Sequence, residues 1–265
     1  MSKTGGSATF KTSAEAYDRH IGRYAGRLAE AMVEAAGTEP GSRALDVGCG
    51  PGALTEVLAE RLGAENVAAA DPSEPYAAAC ASRVPGAEVR VASAEELPFE
   101  EGSFDAALAQ LVVNFMDDAP RGVGEMARVV RPGGLVAACV WDYAGQMTLL
   151  RIFWDAAIGL GLEGAERQDE GRVMRYCRPV ELAELWRAVG LREVATGELN
   201  VEADYESFDS LWEPLERGAG PSGAYAQALA ERDRERLRAE MRRRLGEPSG
   251  SFGLGARAWY VTGRR

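Results

Sequence analysis

The sequence predicts an α/β protein, a largely parallel sheet covered by helices on both faces. Three observations lead there. Short, nearly all-apolar segments alternate with segments of helical periodicity up to Trp141. Those apolar segments lack the in–out alternation of a half-exposed strand, so both of their faces must be buried. A glycine-rich turn at residues 48–52 joins the first strand to the first crossover helix, where open α/β sheets offer backbone N–H groups to a ligand.

Residues 14–36 are Ala-rich and free of proline, with Tyr17, Ile21, Leu28 and Met32 near helical spacing; Gly37 and Pro40 stop that helix. Residues 43–47 form the first strand, and 53–62 the helix after the glycine turn. A second buried strand, 67–70, ends on Asp71-Pro72, and a helix follows around 76–83. Strands are expected at 88–92 and 104–110, then a helix over 118–130, a turn at Arg131-Pro132-Gly133-Gly134, and a fifth strand at 135–141. Beyond Trp141 the rhythm changes. Residues 147–160 and 179–189 read as helices, 191–201 as a strand, 208–215 as a short helix and 218–223 as a Gly/Pro loop. Residues 224–245 read as one long helix, with Leu229, Leu237, Met241 and Leu245 on one stripe. Its interleaved Glu and Arg describe a solvated face, not a binding patch. Residues 252–261 return to strand.

Composition narrows the function. The chain of 265 residues is 46% hydrophobic and 27% charged, which suits a globular core. Its formal net charge of -11 would repel a phosphate backbone, so nucleic acid is not expected as a partner. No run approaches the roughly twenty apolar residues of a membrane span. Residues 1–13 are polar, without the apolar segment of a signal peptide. Cys49, Cys80, Cys139 and Cys177 are scattered, with no C-x-x-C pair, so neither a metal site nor a redox motif is signalled. A cytoplasmic location is the expectation.

The chemistry concentrates in Leu45-Asp46-Val47-Gly48-Cys49-Gly50-Pro51-Gly52. Asp46 sits at the strand end just before the glycines. Asp71 ends the next strand about 25 residues on, near the spacing of a ribose-binding acid. A dinucleotide fingerprint would place the third glycine one residue later, and a pyrophosphate would be repelled by Asp46. A ligand with an ammonium group would be attracted to it. S-adenosylmethionine has that ammonium, a ribose diol for Asp71 and a carboxylate for the backbone N–H groups.

Asp46-x-Gly48-x-Gly50-x-Gly52 resembles motif I of the class I S-adenosylmethionine-dependent methyltransferases. Asp71 matches the acid ending their second strand. Leu97-Pro98-Phe99 through Ser103-Phe104-Asp105 looks like their adenine loop and fourth strand, and Arg128 to Gly134 is similar to the turn before their fifth. The likeness extends to bacterial small-molecule methyltransferases of about this length, through residues 17–24, Gly218-Ala219-Gly220-Pro221 and residues 256–259. It implies a Rossmann-like, seven-stranded, mostly parallel sheet with an antiparallel last hairpin, a helical cap insertion and S-adenosylmethionine as methyl donor. The chain departs from many relatives at Ser93, where they carry Asp toward the adenine amino group; Ser93 or Glu95 would substitute. The implied layout is a single domain. Residues 1–142 hold the N-terminal helix and S-adenosylmethionine-binding core, 143–250 a mostly helical substrate cap with one core strand near 191–201, and 251–265 the final strand.

Asp46, Gly48, Gly50 and Gly52 are therefore assigned to the methionine moiety, and Asp71 with Pro72 to the ribose, a helix cap being the alternative for Asp71. Ser93, Ala94 and Glu95 are assigned to the adenine, although any βα loop could look like that. Gln110 ends the fourth strand facing the departing methyl group; with Asn114 it is a candidate for touching substrate or the ligand ammonium. Tyr17 and Arg23 would close over the ligand, with surface placement as the alternative. His20, the sole histidine, is a candidate base or an ordinary helix residue. Trp141 and Tyr143 occupy the acceptor rim or simply pack. Trp212 joins Met147, Phe153, Trp154 and Tyr225 as the apolar inner face of a lid, or as the packing of cap on core. No metal ligands are expected. The reading is methyl transfer to O, N, C or S of a small organic metabolite by in-line displacement, in a monomer or homodimer. A non-catalytic ligand-binding protein, or an NAD-type oxidoreductase, are the alternatives.

Overall fold

The computed structural model describes residues 22–265. Seven strands form one sheet in the order β3-β2-β1-β4-β5-β7-β6. The strands are β1 (Ala44–Val47), β2 (Val67–Asp71), β3 (Glu88–Val91), β4 (Phe104–Gln110), β5 (Val130–Trp141), β6 (Arg192–Tyr205) and β7 (Phe252–Arg264). β1 to β5 are mutually parallel. β7 runs antiparallel between β5 and β6, as the family resemblance implies.

Side-chain alternation along the strands builds two cores. On β5, Leu135, Ala137, Cys139 and Trp141 join one buried cluster, while Val136, Ala138 and Val140 join the other. The first cluster includes α1 (Gly22–Ala36) and α2 (Ala53–Leu62), whose Tyr24, Leu28 and Met32, and Leu54 and Leu58, are buried at helical spacing. α3 (Glu74–Arg83) lies against β2 and β3. The second cluster takes in α4 (Ala119–Val129).

Beyond β5, α5 (Thr148–Gly159) is followed by two single-turn helices, α6 (Ala165–Gln168) and α7 (Glu170–Val173), that the sequence pattern did not signal. α8 (Pro179–Ala188) packs on β6, β7 and α4, so part of the expected cap is a helix covering the sheet. α9 (Phe208–Glu216), α10 (Gly220–Ala228) and α11 (Glu231–Arg244) fill the connection from β6 to β7 and share the first core with α5.

Three boundaries differ from expectation. The turn at residues 131–134 is an irregularity inside β5: Val130 already pairs with Phe104, and the register shifts before Leu135. The expected loop at 218–223 and the single helix over 224–245 become α10 and α11, parted at Leu229 and Ala230, both extended. No glycine or proline breaks the chain there. α10 buries Tyr225 and Ala226 against α9 and α5, whereas α11 buries Leu237 and Met241 on α5, and the two docking directions outweigh helix propensity. β6 extends past Val201 to Tyr205, because Ala203 and Tyr205 continue its buried alternation. Among the described residues no helix is long and apolar enough to cross a membrane.

Candidate functional site

A cleft of about 470 Å³ opens at the carboxyl ends of β1, β2 and β4. Its walls include Gly48, Gly50, Asp71, Pro72, Ser93, Ala94, Glu95 and Gln110, which are eight of the positions singled out from sequence.

Gly48 adopts φ +72°, and a Cβ there would lie 2.4 Å from Val112 Cγ2, so any side chain would both strain the backbone and strike the next loop. Gly50, at φ +51°, has nothing within 4 Å of its notional Cβ. Gly52 stands behind the wall, where a Cβ would meet Cys80 Cα at 3.2 Å; its smallness lets α3 close on the turn. The N-cap of α2, which begins at this turn, is Gly52, so the capping position supplies no side chain to the helix's first-turn N–H groups.

Strand alternation puts Asp46 on the α2 side of β1, fully buried. Thr55 Oγ1 donates to its Oδ2 at 2.6 Å, and Oδ1 has no hydrogen-bond partner. Burial pushes its pKa up to about 7, the Thr55 bond opposing and the charge of Asp71 adding to the shift. Asp71 Oδ2 accepts from Gly50 N–H at 2.9 Å and Oδ1 from Ser73 N–H at 2.8 Å. The second bond is an Asx-turn, and the N-cap of α3 is Ser73, so Asp71 does not cap the helix. It ties the glycine turn to the β2 loop instead. Burial raises its pKa; the two backbone bonds pull the other way.

Ser93 Oγ donates to Glu95 Oε2, and Glu95 Oε1 accepts from the N–H groups of Asp117 and Asp118 at 3.0 and 3.3 Å. Glu95 thus fastens the loop after β3 to the loop after β4. The latter supplies what sequence reasoning missed: Leu111, Val112, Phe115, Met116 and Asp117 line the cleft, with Pro51, Ser73 and Tyr76 opposite. Leu111 sits at φ +62°, a left-handed conformation costing about 1–2 kcal/mol, with its N–H donating to Cys139 O at 2.8 Å. That bend turns the chain out of β4 into a one-turn 3-10 helix, Val113–Phe115. The apolar run from 111 to 113 and the aromatic at 115, just past a strand end, were the available signals.

Gln110 Nε2 donates to Ala25 O at 3.1 Å, and its Oε1 is buried without a partner. Asn114 stands outside the cleft wall, its Nδ2 donating to the Tyr143 hydroxyl at 3.3 Å. Trp141 is buried at the end of β5, edge-on to Tyr24, and Trp212 is buried in α9. Neither lines the cleft. Arg23 donates to the carbonyls of Asp204 and Ser210 and stacks over Tyr205, at the far end of β6. Tyr17 and His20 lie outside the described residues. Of the expected lid face, Met147, Phe153, Trp154, Trp212 and Tyr225 are all buried in the core under the cap, with the Phe153 and Trp154 rings 5.0 Å apart.

The described walls carry the carboxylates of Asp71, Glu95 and Asp117 and no Lys, Arg or His. That set suits a cationic or neutral hydrogen-bonding ligand and opposes a diphosphate. S-adenosylmethionine fits it: Asp46 with its unpartnered Oδ1 answers a positive charge, and the room above Gly50 admits the ligand chain.

Residues 45–138 match a protein-family model described as a methyltransferase domain. The chain is 32% identical over 156 residues to a malonyl-[acyl-carrier protein] O-methyltransferase of Pseudescherichia vulneris, covering 59% of this chain and 61% of that one. It is 36% identical over 155 residues to a ubiquinone biosynthesis O-methyltransferase of Rhizobium etli, covering 57% and 60%. The chain thus spans about three-fifths of these curated relatives. In fold it is similar to phosphoethanolamine N-methyltransferase 2 of Haemonchus contortus solved with S-adenosyl-L-methionine, with TM-score 0.55 and 16% identity over 90% of this chain and 52% of that one.

Proposed function

We propose that this chain, whose core belongs to the class I S-adenosylmethionine-dependent methyltransferases, moves a methyl group from S-adenosylmethionine to a small organic acceptor. The observation that carries the reading is the charge of the cleft: carboxylates at Asp71, Glu95 and Asp117, the buried Asp46 behind, and no cation among its described walls. A nicotinamide dinucleotide would bring its diphosphate to the glycine turn, beside Asp71 and the buried Asp46. The cofactor supplies an activated methyl on a sulfonium.

The protein's own work is binding and alignment. The start of α2 offers N–H groups to the amino-acid end of the donor, past the glycine turn whose own N–H groups are held by Ala70 O and Asp71, with Asp46 countering the ligand's ammonium. Asp71, fixed by Gly50 and Ser73, keeps spare lone pairs for ribose hydroxyls. Ser93 and Glu95 face the adenine, and Leu111, Val112, Phe115 and Met116 exclude water from it. Gln110 marks the acceptor end. Holding an acceptor atom about 3 Å from the methyl replaces a bimolecular encounter by a positioned one.

The acceptor in this reading is neutral or cationic and partly lipophilic, reached beneath the cap. The chain's net charge of -11 supports that choice over RNA. Calorimetric titration with S-adenosylhomocysteine and with NAD tests the donor: binding of NAD alone overturns the reading. Labelled methyl transfer into metabolite mixtures and into RNA tests the acceptor, and label confined to RNA would refute it.

A further inference from the structure

Two glycines stand inside α4, at positions 122 and 124 of Ala119-Pro120-Arg121-Gly122-Val123-Gly124. Only proline is less favourable than glycine in a helix interior, so each needs a reason. Conformation does not supply it, because neither residue has a positive φ. Space does, at one of the two. A Cβ at Gly124 would meet nothing within 4 Å. A Cβ at Gly122 would lie 2.5 Å from Met116 Sδ, 3.4 Å from Met116 Cε and 3.6 Å from Ala94 Cβ. Met116 and Ala94 belong to the loops after β4 and β3, and both line the cleft. Gly122 is buried one layer behind them.

The missing side chain is therefore room that the Met116 thioether occupies. Behind Met116 is α4, which buries Ala119, Val123, Met126 and Val129 in the second core. In front of it is the cleft. A methyl group at position 122 would require the sulfur to retreat by about 1 Å or more to reach ordinary contact. The helix cannot yield that distance without opening its core, whereas methionine is unbranched and changes rotamer easily. The thioether is what gives way, and it gives way toward the cleft.

Resting on the methyl-transfer reading, which holds the donor's base between the loops after β3 and β4, we infer that Gly122 is a positioning residue of the donor site. By having no side chain it seats Met116 back against α4, and so it sets the depth of the cleft at the base end. Gly122 touches no ligand; it acts through Met116.

The test titrates the whole chain with S-adenosylhomocysteine and with 5′-methylthioadenosine, which keeps base and ribose but lacks the amino acid. Gly122→Ala should weaken S-adenosylhomocysteine about 10-fold, the effect of overfilling a packed site. The same factor should appear with 5′-methylthioadenosine, since the crowding is at the base. The melting temperature should stay within about 5 °C of the wild type, because better helix propensity offsets the crowding. Met116→Ala removes the displaced group, so the double variant should bind within about threefold of Met116→Ala alone. Gly124→Ala makes the identical change on the same helix where a Cβ has room. It should raise the melting temperature by about 2–4 °C and leave both affinities unchanged. Unchanged affinity in Gly122→Ala, a loss that persists in the Met116→Ala background, a loss with S-adenosylhomocysteine alone, an equal loss in Gly124→Ala or a larger fall in melting temperature would each overturn the inference. A wild type that binds neither ligand would instead strike the parent reading.

Discussion

Replacing Asp46 by Asn should stabilise the ligand-free protein while weakening its hold on the donor. Burial lifts the carboxyl from about 3.8 to about 7, so the fold favours the protonated acid. The stability tied to a raised pKa is complete below the unfolded value and is lost as pH climbs through the folded one. For these two values the wild type should lose about 2–3 kcal/mol between pH 5 and pH 8 that the variant does not lose. In a chain of this size that is about 5–10 °C in the gap between the two melting temperatures. Comparing the melting difference at two pH values cancels the fixed cost of the Asn amide beside Thr55. The same carboxyl must ionise to meet an ammonium. Wild-type affinity for S-adenosylhomocysteine should therefore fall about 30-fold from pH 8 to pH 5.5, with proton release near neutrality. Thermal melts of both proteins at pH 5, 6, 7 and 8, and calorimetry in buffers of different ionisation enthalpy, read both effects. A melting gap independent of pH would refute the placement of Asp46 as a desolvated acid. Flat affinity would remove it from the binding site.

Other residues make sharper, simpler tests. Gly48→Ala should destabilise the fold by at least ~2 kcal/mol in urea titration, because φ +72° and the nearby Val112 both oppose a Cβ; a loss under about 0.5 kcal/mol would contradict that geometry. Gly50→Arg faces open space but at φ +51° carries left-handed strain of about 1–2 kcal/mol, so it should lower the melting temperature by only a few degrees while abolishing S-adenosylhomocysteine binding; retained binding would free the turn of its assigned role. Asp71→Ala should weaken that binding by roughly 1–3 kcal/mol, and an unchanged dissociation constant would reduce Asp71 to a brace for the Gly50 and Ser73 amides. Asp169→Ala leaves Arg151, whose side chain is 14% exposed, to Asp155 and the Tyr143 carbonyl and uncaps Gly171 N–H, and should cost about 3 kcal/mol in denaturant titration; a loss below about 1 kcal/mol would mean those remaining partners suffice.

Periodicity along the chain was enough to locate the sheet and much of the cleft wall. Buried parallel strands are continuous apolar runs, and the groups that meet a ligand at their carboxyl ends follow each run directly. Asp46, the glycine turn, Asp71, Ser93 to Glu95 and Gln110 could therefore be located by counting along the chain. What it could not convey depends on residues distant in sequence. Gly52 looked like its two neighbours, yet it faces Cys80 on another helix, while Gly50 faces open space. Arg23 was expected either over the ligand or on the surface, and the carbonyls of Asp204 and Ser210, some 180 residues later, accept from its guanidinium. The expected helix over 224–245 divides at Leu229 because its two halves dock in different directions. The apolar wall from Leu111 to Met116 exists because one non-glycine residue accepts a left-handed turn, a conformation that sequence does not announce and that only the packing around Cys139 and Val113 can compensate. Local propensity and strand periodicity are written along the chain; the direction of a side chain and the tolerance for strain are set by whatever the fold brings beside it.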